Sequence, residues 1–263
     1  MKKRLDDMMI DRGIAPDRTK ALALVMSGEI FVNGQRADKV GTTYKDDVII
    51  DFREKGIPYV SRGGFKLEKA IKTFQIDLSN VDALDIGSST GGFTDCMLQN
   101  GARHVWDVDV GKELAWKLRN DPRITLLERT NIRNCNYDTF GTYFDFVSAD
   151  VSFISLRLVL PVIHEVLKPN GVAVCLVKPQ FEADKDEVGK GGIITDREIH
   201  IKVLKTFVQD AEKYFKVAKL TYSPITGAKG NIEFLAMLTT YGESVSIDEI
   251  CDVVKIAHED LIK

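Results

Sequence analysis

The chain has 263 residues, 44% of them apolar and 29% charged, with a net charge of −3. That balance excludes a disordered chain and supplies enough apolar material for one large domain, or a large and a small one. A charge so close to neutral gives no global field for nucleic acid, so any such surface has to be local.

Cys96, Cys135, Cys175 and Cys251 lie far apart without a Cys-x-x-Cys pair, and the four histidines show no metal-ligand spacing. Free thiols in a reducing compartment are expected, and no metal site. The N-terminus "MKKRLDDMMIDRG" turns acidic before an apolar leader can form. The apolar run "VAVCLV" at 172–177 is far short of the roughly 20 residues that cross a bilayer. A cytoplasmic protein with no membrane partner is expected.

Residues 1–52 read as a small α+β unit. Leu5, Met8 and Met9 share one helical face that stops at Gly13, and Ala21, Leu24 and Val25 share another that stops at Gly28. "EIFVNGQRA" is a short strand with Asn33-Gly34 as a tight turn, and "DDVIIDF" is a further strand. Residues 53–60, within "REKGIPYVSRGG", carry the glycine, proline and mixed charge of a linker, and 61–263 form the second unit. There "FKLEKAIKTFQI" opens as a helix with Leu67, Ala70, Ile71 and Phe74 at helical spacing.

From Val81 strand runs alternate with helices: "VDALDIG", "HVWDVDV", "RITLLER", "FDFVSADV", "VAVCLVKP", "KVAKLTYSPI" and "IEFLAMLTTY", with helical stretches such as "KELAWKLRND", "ISLRLVLPVIHEVLK" and "REIHIKVLKTFVQDAEKYF" between most of them. Apolar strands separated by amphipathic helices predict a mostly parallel α/β sheet of seven strands covered on both faces. Only "TGAKGN" joins the last two strands, which permits an antiparallel pairing alone. One reversed strand in a parallel sheet is the outline of a Rossmann-like methyltransferase.

The first strand runs into "DIGSSTGGF". A P-loop requires Gly-x-x-x-x-Gly-Lys, and Phe93 stands in the lysine's place after Gly92. A dinucleotide fingerprint requires Gly-x-Gly, and Ser89 follows Gly87 at that spacing. S-adenosylmethionine carries no phosphate and needs neither motif. It needs a close glycine turn, here Asp85, Gly87, Ser88, Ser89, Thr90, Gly91, Gly92 and Phe93, and an acid at the next strand end for its ribose. Of Asp107 and Asp109 the second is favoured, being nearer the strand's carboxyl end. Further polar residues, Asn131 and Asp150, follow the third and fourth strands on the same side, and Lys178 closes the apolar fifth strand. An ammonium there is costly without partners.

Together "YVSRGGFKLEKA", "DIGSSTGGFTD", "LERTNIR", "ADVSFISL", "VKPQFE" and "GNIEFL" resemble the TlyA branch of the FtsJ-like RNA ribose methyltransferases. The resemblance implies S-adenosylmethionine as cofactor, ribosomal RNA or a ribosomal subunit as partner, and 2′-O-methylation of a cytidine ribose. It also implies a catalytic Lys–Asp–Lys–Glu tetrad, here Lys66, Asp150, Lys178 and Glu233; the residue types read Lys178 as the base, with orientation of the hydroxyl as the alternative. The first unit resembles an S-four-type RNA-binding domain, with Lys3, Arg4, Arg18, Lys20 and Arg36 as its candidate RNA contacts. Through Phe52 that unit has nine basic and nine acidic residues, whereas 53–72 has six basic and two acidic, which centres the positive footprint on the linker and the helix bearing Lys66. "ADKDEVGKGGIITD", with Gly189, Gly191 and Gly192, is a candidate lid or a plain surface loop. Two other readings compete with catalysis: a non-catalytic RNA-binding or ribosome-assembly protein, and a membrane-active haemolysin.

Overall fold

Strand β1 (Lys2–Arg4) leads into helix α1 (Leu5–Asp11), which buries Leu5, Met8 and Met9 as their spacing requires. The computed structural model describes residues 2–53, 58–227 and 229–262. Asp17 caps helix α2 (Arg18–Met26) by accepting the Lys20 N–H at 2.8 Å, and Ala21, Leu24 and Val25 face inward. Strands β2 (Ile30–Val32) and β3 (Gln35–Arg36) form a hairpin through Asn33 and Gly34, whose φ angles of 48° and 78° are those of a two-residue turn. β4 (Thr43–Lys45) pairs with β1, and β5 (Ile50–Phe52) with β2.

Residues 54–57 of the expected linker lie outside the described residues, and 58–60 dock on the second unit. Tyr59 and Val60 are buried, and the Val60 N–H donates to Asp95 at 2.9 Å. α3 (Gly63–Phe74) follows, then β6 (Asp82–Ile86), α4 (Gly92–Gln99), β7 (His104–Val108), α5 (Trp116–Arg119) and β8 (Ile124–Leu127). Next come α6 (Tyr137–Phe140), β9 (Phe144–Ala149), α7 (Leu160–Val166), β10 (Leu167–Val177) and α8 (Pro179–Glu182). α9 (Arg197–Ala211), β11 (Lys216–Tyr222), β12 (Phe234–Thr239) and α10 (Ile247–Leu261) complete the chain.

The seven-stranded sheet runs β11-β12-β10-β9-β6-β7-β8, with β12 antiparallel to both neighbours and the other pairings parallel. Its two faces bury separate cores: Leu67, Phe74, Met97 and Phe146 on one side, Val147, Leu204, Phe207 and Val254 on the other. Strand order reverses between β6 and β9, and a crevice opens there at the strands' carboxyl ends. Among the described residues no helix is long and apolar enough to cross a membrane.

Two expected helices are shorter than their periodicity suggests. In "KELAWKLRND" only α5 is helical, because Leu114 packs over Gly91 and the Ala115 N–H donates to Thr90 O at 3.2 Å. "ISLRLVLPVIHEVLK" begins as a 3-10 turn at 156–158, and α7 starts with Pro161 in its first turn, where a missing N–H leaves no bond unmade.

The units meet at Trp116. Its backbone N–H donates to the buried Asp51 carboxylate at 3.1 Å, and its indole lies against Gly34. A Cβ at Gly34 would overlap Trp116 Cδ1, and the residue's φ of 78° disfavours any side chain. Gly34→Val is therefore expected to destabilise the chain by about 1–3 kcal/mol; unchanged thermal unfolding by circular dichroism would contradict the contact.

Candidate active site

The crevice holds four charges in alternating order. Lys66 Nζ of α3 is 2.6 Å from Glu233 Oε2 and 4.0 Å from Asp150 Oδ2. Asp150 Oδ1 is 2.5 Å from Lys178 Nζ, which also donates to Ser152 Oγ at 2.9 Å. The Glu233 and Lys178 side chains are 3% and 9% exposed, too buried to be carried unpaired.

The glycine turn lies beside these charges. Gly87 has a φ of 82°, and a Cβ there would overlap the Asp150 carbonyl oxygen, so the turn and the end of β9 touch only through glycine. A cleft of about 390 Å3 is lined by Gly87, Ser89, Asp109, Val110, Asn131, Ile132, Asp150 and Phe153, among others. A second hollow of about 190 Å3 runs from Ser88, Thr90, Gly92 and Phe93 to Ser61, Asp150 and Lys178. Together they fall within the size of small-molecule sites. Asp109 accepts the N–H groups of Ser89 at 2.8 Å and Gly111 at 2.6 Å, which fixes its carboxylate at the cleft wall with lone pairs to spare. Ser88 Oγ is buried in the second hollow without a partner among the described residues, an orphan that a polar ligand group would satisfy.

The structure thus brings Lys66, Asp150, Lys178 and Glu233 together and lines the two hollows with most of the expected cofactor residues. Two lie elsewhere. Asp85 is fully buried beneath the turn, bonded to Thr94 and Ser148. Gly91 faces Leu114 and Leu118. Of the candidate RNA contacts, Lys3 pairs with Asp11, Arg4 with Asp6 at 2.7 Å and Arg18 with Asp7 at 2.7 Å. The candidate lid is tied down at one end: Asn231 Nδ2 donates to Gly192 O at 2.8 Å, and Asn231 Oδ1 accepts the Ile194 N–H at 2.9 Å.

Sequence reasoning missed Ser61, Ser152 and Phe153, whose roles depend on loop geometry. Phe153 is 87% exposed at the cleft mouth, has a φ of 64°, and stands 5.1 Å from the Phe181 ring. It missed the role of Glu182 as well, whose carboxyl burial pushes up while it accepts from Ser155 Oγ at 2.6 Å and the Leu156 N–H at 2.7 Å.

The family model of FtsJ-like methyltransferases matches residues 59–240, and that of the S4 domain matches residues 3–50. YqxC of Bacillus subtilis is 46% identical over 268 residues, covering 99% of this chain and 95% of YqxC. The 16S/23S rRNA (cytidine-2′-O)-methyltransferase TlyA of Mycobacterium tuberculosis is 38% identical, covering 91% of this chain and 90% of TlyA. A solved structure of a hemolysin-like protein from Streptococcus thermophilus superposes with a TM-score of 0.78 at 43% identity, covering 98% of this chain and 96% of that one.

Removing Glu233 alone leaves the Lys66 ammonium to the more distant Asp150 at 4.0 Å, whereas removing both partners leaves no such charge. Glu233→Gln and Lys66→Met are each expected to destabilise the fold, and the double variant by less than their sum, with a coupling of about 1–3 kcal/mol. Chemical denaturation of the four proteins reads this, and simple additivity would contradict the pair.

Proposed function

The chain belongs to the FtsJ-like methyltransferase family, and from that premise we propose that it methylates a ribose 2′-hydroxyl of ribosomal RNA, at a cytidine, with S-adenosylmethionine as donor. The observation that carries the reading is the alternating chain Glu233–Lys66–Asp150–Lys178 beside the glycine turn. The name of the mycobacterial relative supports the RNA class and the nucleotide, and the match of residues 3–50 to the S4 domain supports an RNA partner.

The residues present fit the cofactor. Its nucleoside half matches the cleft with Asp109 for the ribose hydroxyls and Val110, Asn131 and Ile132 around the base. Its amino-acid half matches the second hollow, where Ser88 Oγ lacks a partner among the described residues and Gly87 lets the backbone approach. Gly92, Thr90 and Phe93 complete that wall, and Asp150 borders both hollows. The cofactor supplies an electrophilic methyl group on a sulfonium.

A ribose hydroxyl is a weak acid and must lose its proton as its oxygen is methylated. To act as base Lys178 Nζ first gives up its own proton to solvent; the amine then takes the hydroxyl proton, and Asp150 and Ser152, already within bonding distance, hold the ammonium that reforms. Lys66, fixed by Glu233, puts a second cation beside Asp150, where it orients the hydroxyl oxygen. The exposed ring of Phe153 offers a face on which a base splayed from the RNA stacks.

Transfer of labelled methyl from S-adenosylmethionine to unmodified ribosomal subunits tests the reading. Wild type should label a ribose, and Lys178→Ala should be slower by at least about 100-fold, the usual worth of a positioned base. A variant within a few-fold of wild type would remove Lys178 from that role, and labelling of neither subunit would remove ribosomal RNA as substrate.

A further inference from the structure

Beneath the glycine turn lies a polar row that the proposed reaction leaves idle. Asp85 of β6 sits opposite Asp107 of β7 on one side and Ser148 of β9 on the other, and Thr94 of α4 bridges the two acids. None of the four side chains reaches solvent.

Thr94 Oγ1 is 2.7 Å from Asp85 Oδ2 and 2.7 Å from Asp107 Oδ1. A hydroxyl has one proton and donates once. Two carboxylates cannot both receive it, so one of these bonds runs the other way, from a carboxylic acid to the hydroxyl oxygen. Asp85 already accepts a second hydroxyl, Ser148 Oγ at 2.9 Å, as an ionised group should. Asp107 Oδ2 is buried with no partner among the described residues. An orphan oxygen is far less costly as the carbonyl of a neutral acid than as half of a carboxylate. The neutral member is therefore Asp107.

We infer that Asp107 is a carboxylic acid at neutral pH that donates to Thr94 while the Thr94 hydroxyl donates to ionised Asp85, and that this chain of hydrogen bonds latches the start of α4 to the sheet and positions the glycine turn of the cofactor cleft. The positioning half rests on the function proposed above; the acid half does not. Burial pushes both carboxyls upward, and the charge of Asp85 pushes Asp107 further. The neighbouring charges point the same way: Asp109 faces Asp107 and Asp150 faces Asp85, so each opposes a second anion. Asp95, also on α4, is taken up by Lys117 at 3.2 Å and by the Val60 N–H, outside this row.

Infrared spectroscopy of the protein without cofactor tests the acid directly. Wild type at neutral pH should show the C=O stretch of a protonated carboxyl group, and Asp107→Asn should lack it. No such band in wild type, or a band that survives Asp107→Asn and disappears in Asp85→Asn, would overturn the assignment. The folded state holds a proton that the unfolded chain releases, so wild-type stability must fall as pH rises from the ordinary carboxylate range to the folded pKa. Relative to Asp107→Asn the folding equilibrium should drop by up to about tenfold per pH unit, and a difference independent of pH would overturn the proposal. For the latch, calorimetric binding of S-adenosylmethionine should be near wild type in Asp107→Asn, whose amide N–H donates in the acid's place, and about tenfold weaker in Asp107→Ala. Equal affinity in Asp107→Ala would overturn the positioning role. A band in a wild type that binds no S-adenosylmethionine would uphold the acid and overturn the cofactor reading instead.

Discussion

Charges buried side by side must alternate in sign, and that constraint shapes the centre of this molecule. Lys66, Asp150, Lys178 and Glu233 come from four separate segments, and none of them has enough solvent to stand alone. The reversed strand makes the alternation possible. Lys178 follows the end of β10, and Glu233 precedes the start of β12. Because these strands are antiparallel, with Val177 opposite Phe234, the start of one lies beside the end of the other. A parallel β12 would send Glu233 to the far edge of the sheet and leave Lys66 without its closest acid. The Ser223 N–H bond to Glu233 O, at 2.8 Å, extends the β11–β12 pairing just past the strand and fixes the backbone under that carboxylate.

What periodicity encodes was legible in advance. Strand runs, their parallel order and the reversed pair all follow from apolar alternation and connection length. The acid at the end of β7 was legible for a similar reason. Asp107 and Asp109 are two apart, but the strand closes at Val108, so Asp107 stays in the sheet while Asp109 turns into the cleft. Asp85 was harder. Its place in a glycine-rich motif suggests ligand contact, yet it precedes the turn by two residues and points under α4 instead. Nothing local in "KELAWKLRND" announces that Leu114 and Ala115 are held by the glycine turn and cannot join a helix. Such long-range contacts override propensity.

The first unit shows the same limit for charge. Counting lysines and arginines treats each as a free cation, and the structure pairs Lys3 and Arg4 of β1 and Arg18 of α2 with acids of α1. Exposed pairs of this kind are worth little to stability, but they reduce the field that an RNA backbone would feel. In the second unit Arg62 stands exposed at the N-cap of α3, the helix whose inner face carries Lys66, while the exposed Lys72 of that helix pairs with Glu68 at 2.8 Å. Electrostatic attraction and the buried charges therefore share one helix, and the contact of Trp116 with Asp51 and Gly34 places the first unit alongside the segment that walls the cleft.

The loop after β9 ties the mouth of the crevice to its centre. A phenylalanine at a φ of 64° is strained, and such a conformation persists only where its surroundings over-determine it. Here both flanks are held. Ser152, just before Phe153, takes a hydrogen bond from Lys178, and Ser155 and Leu156, just after it, are clamped by Glu182. Lys178 and Glu182 stand four residues apart at the two ends of α8, so one short rigid element fixes the ammonium and the loop together. The outward ring of Phe153 and the inward amine of Lys178 are thus set by one piece of backbone. A shift in either must move the other, which makes the geometry between the mouth of the cleft and its charged centre a property of the fold and not of a free loop.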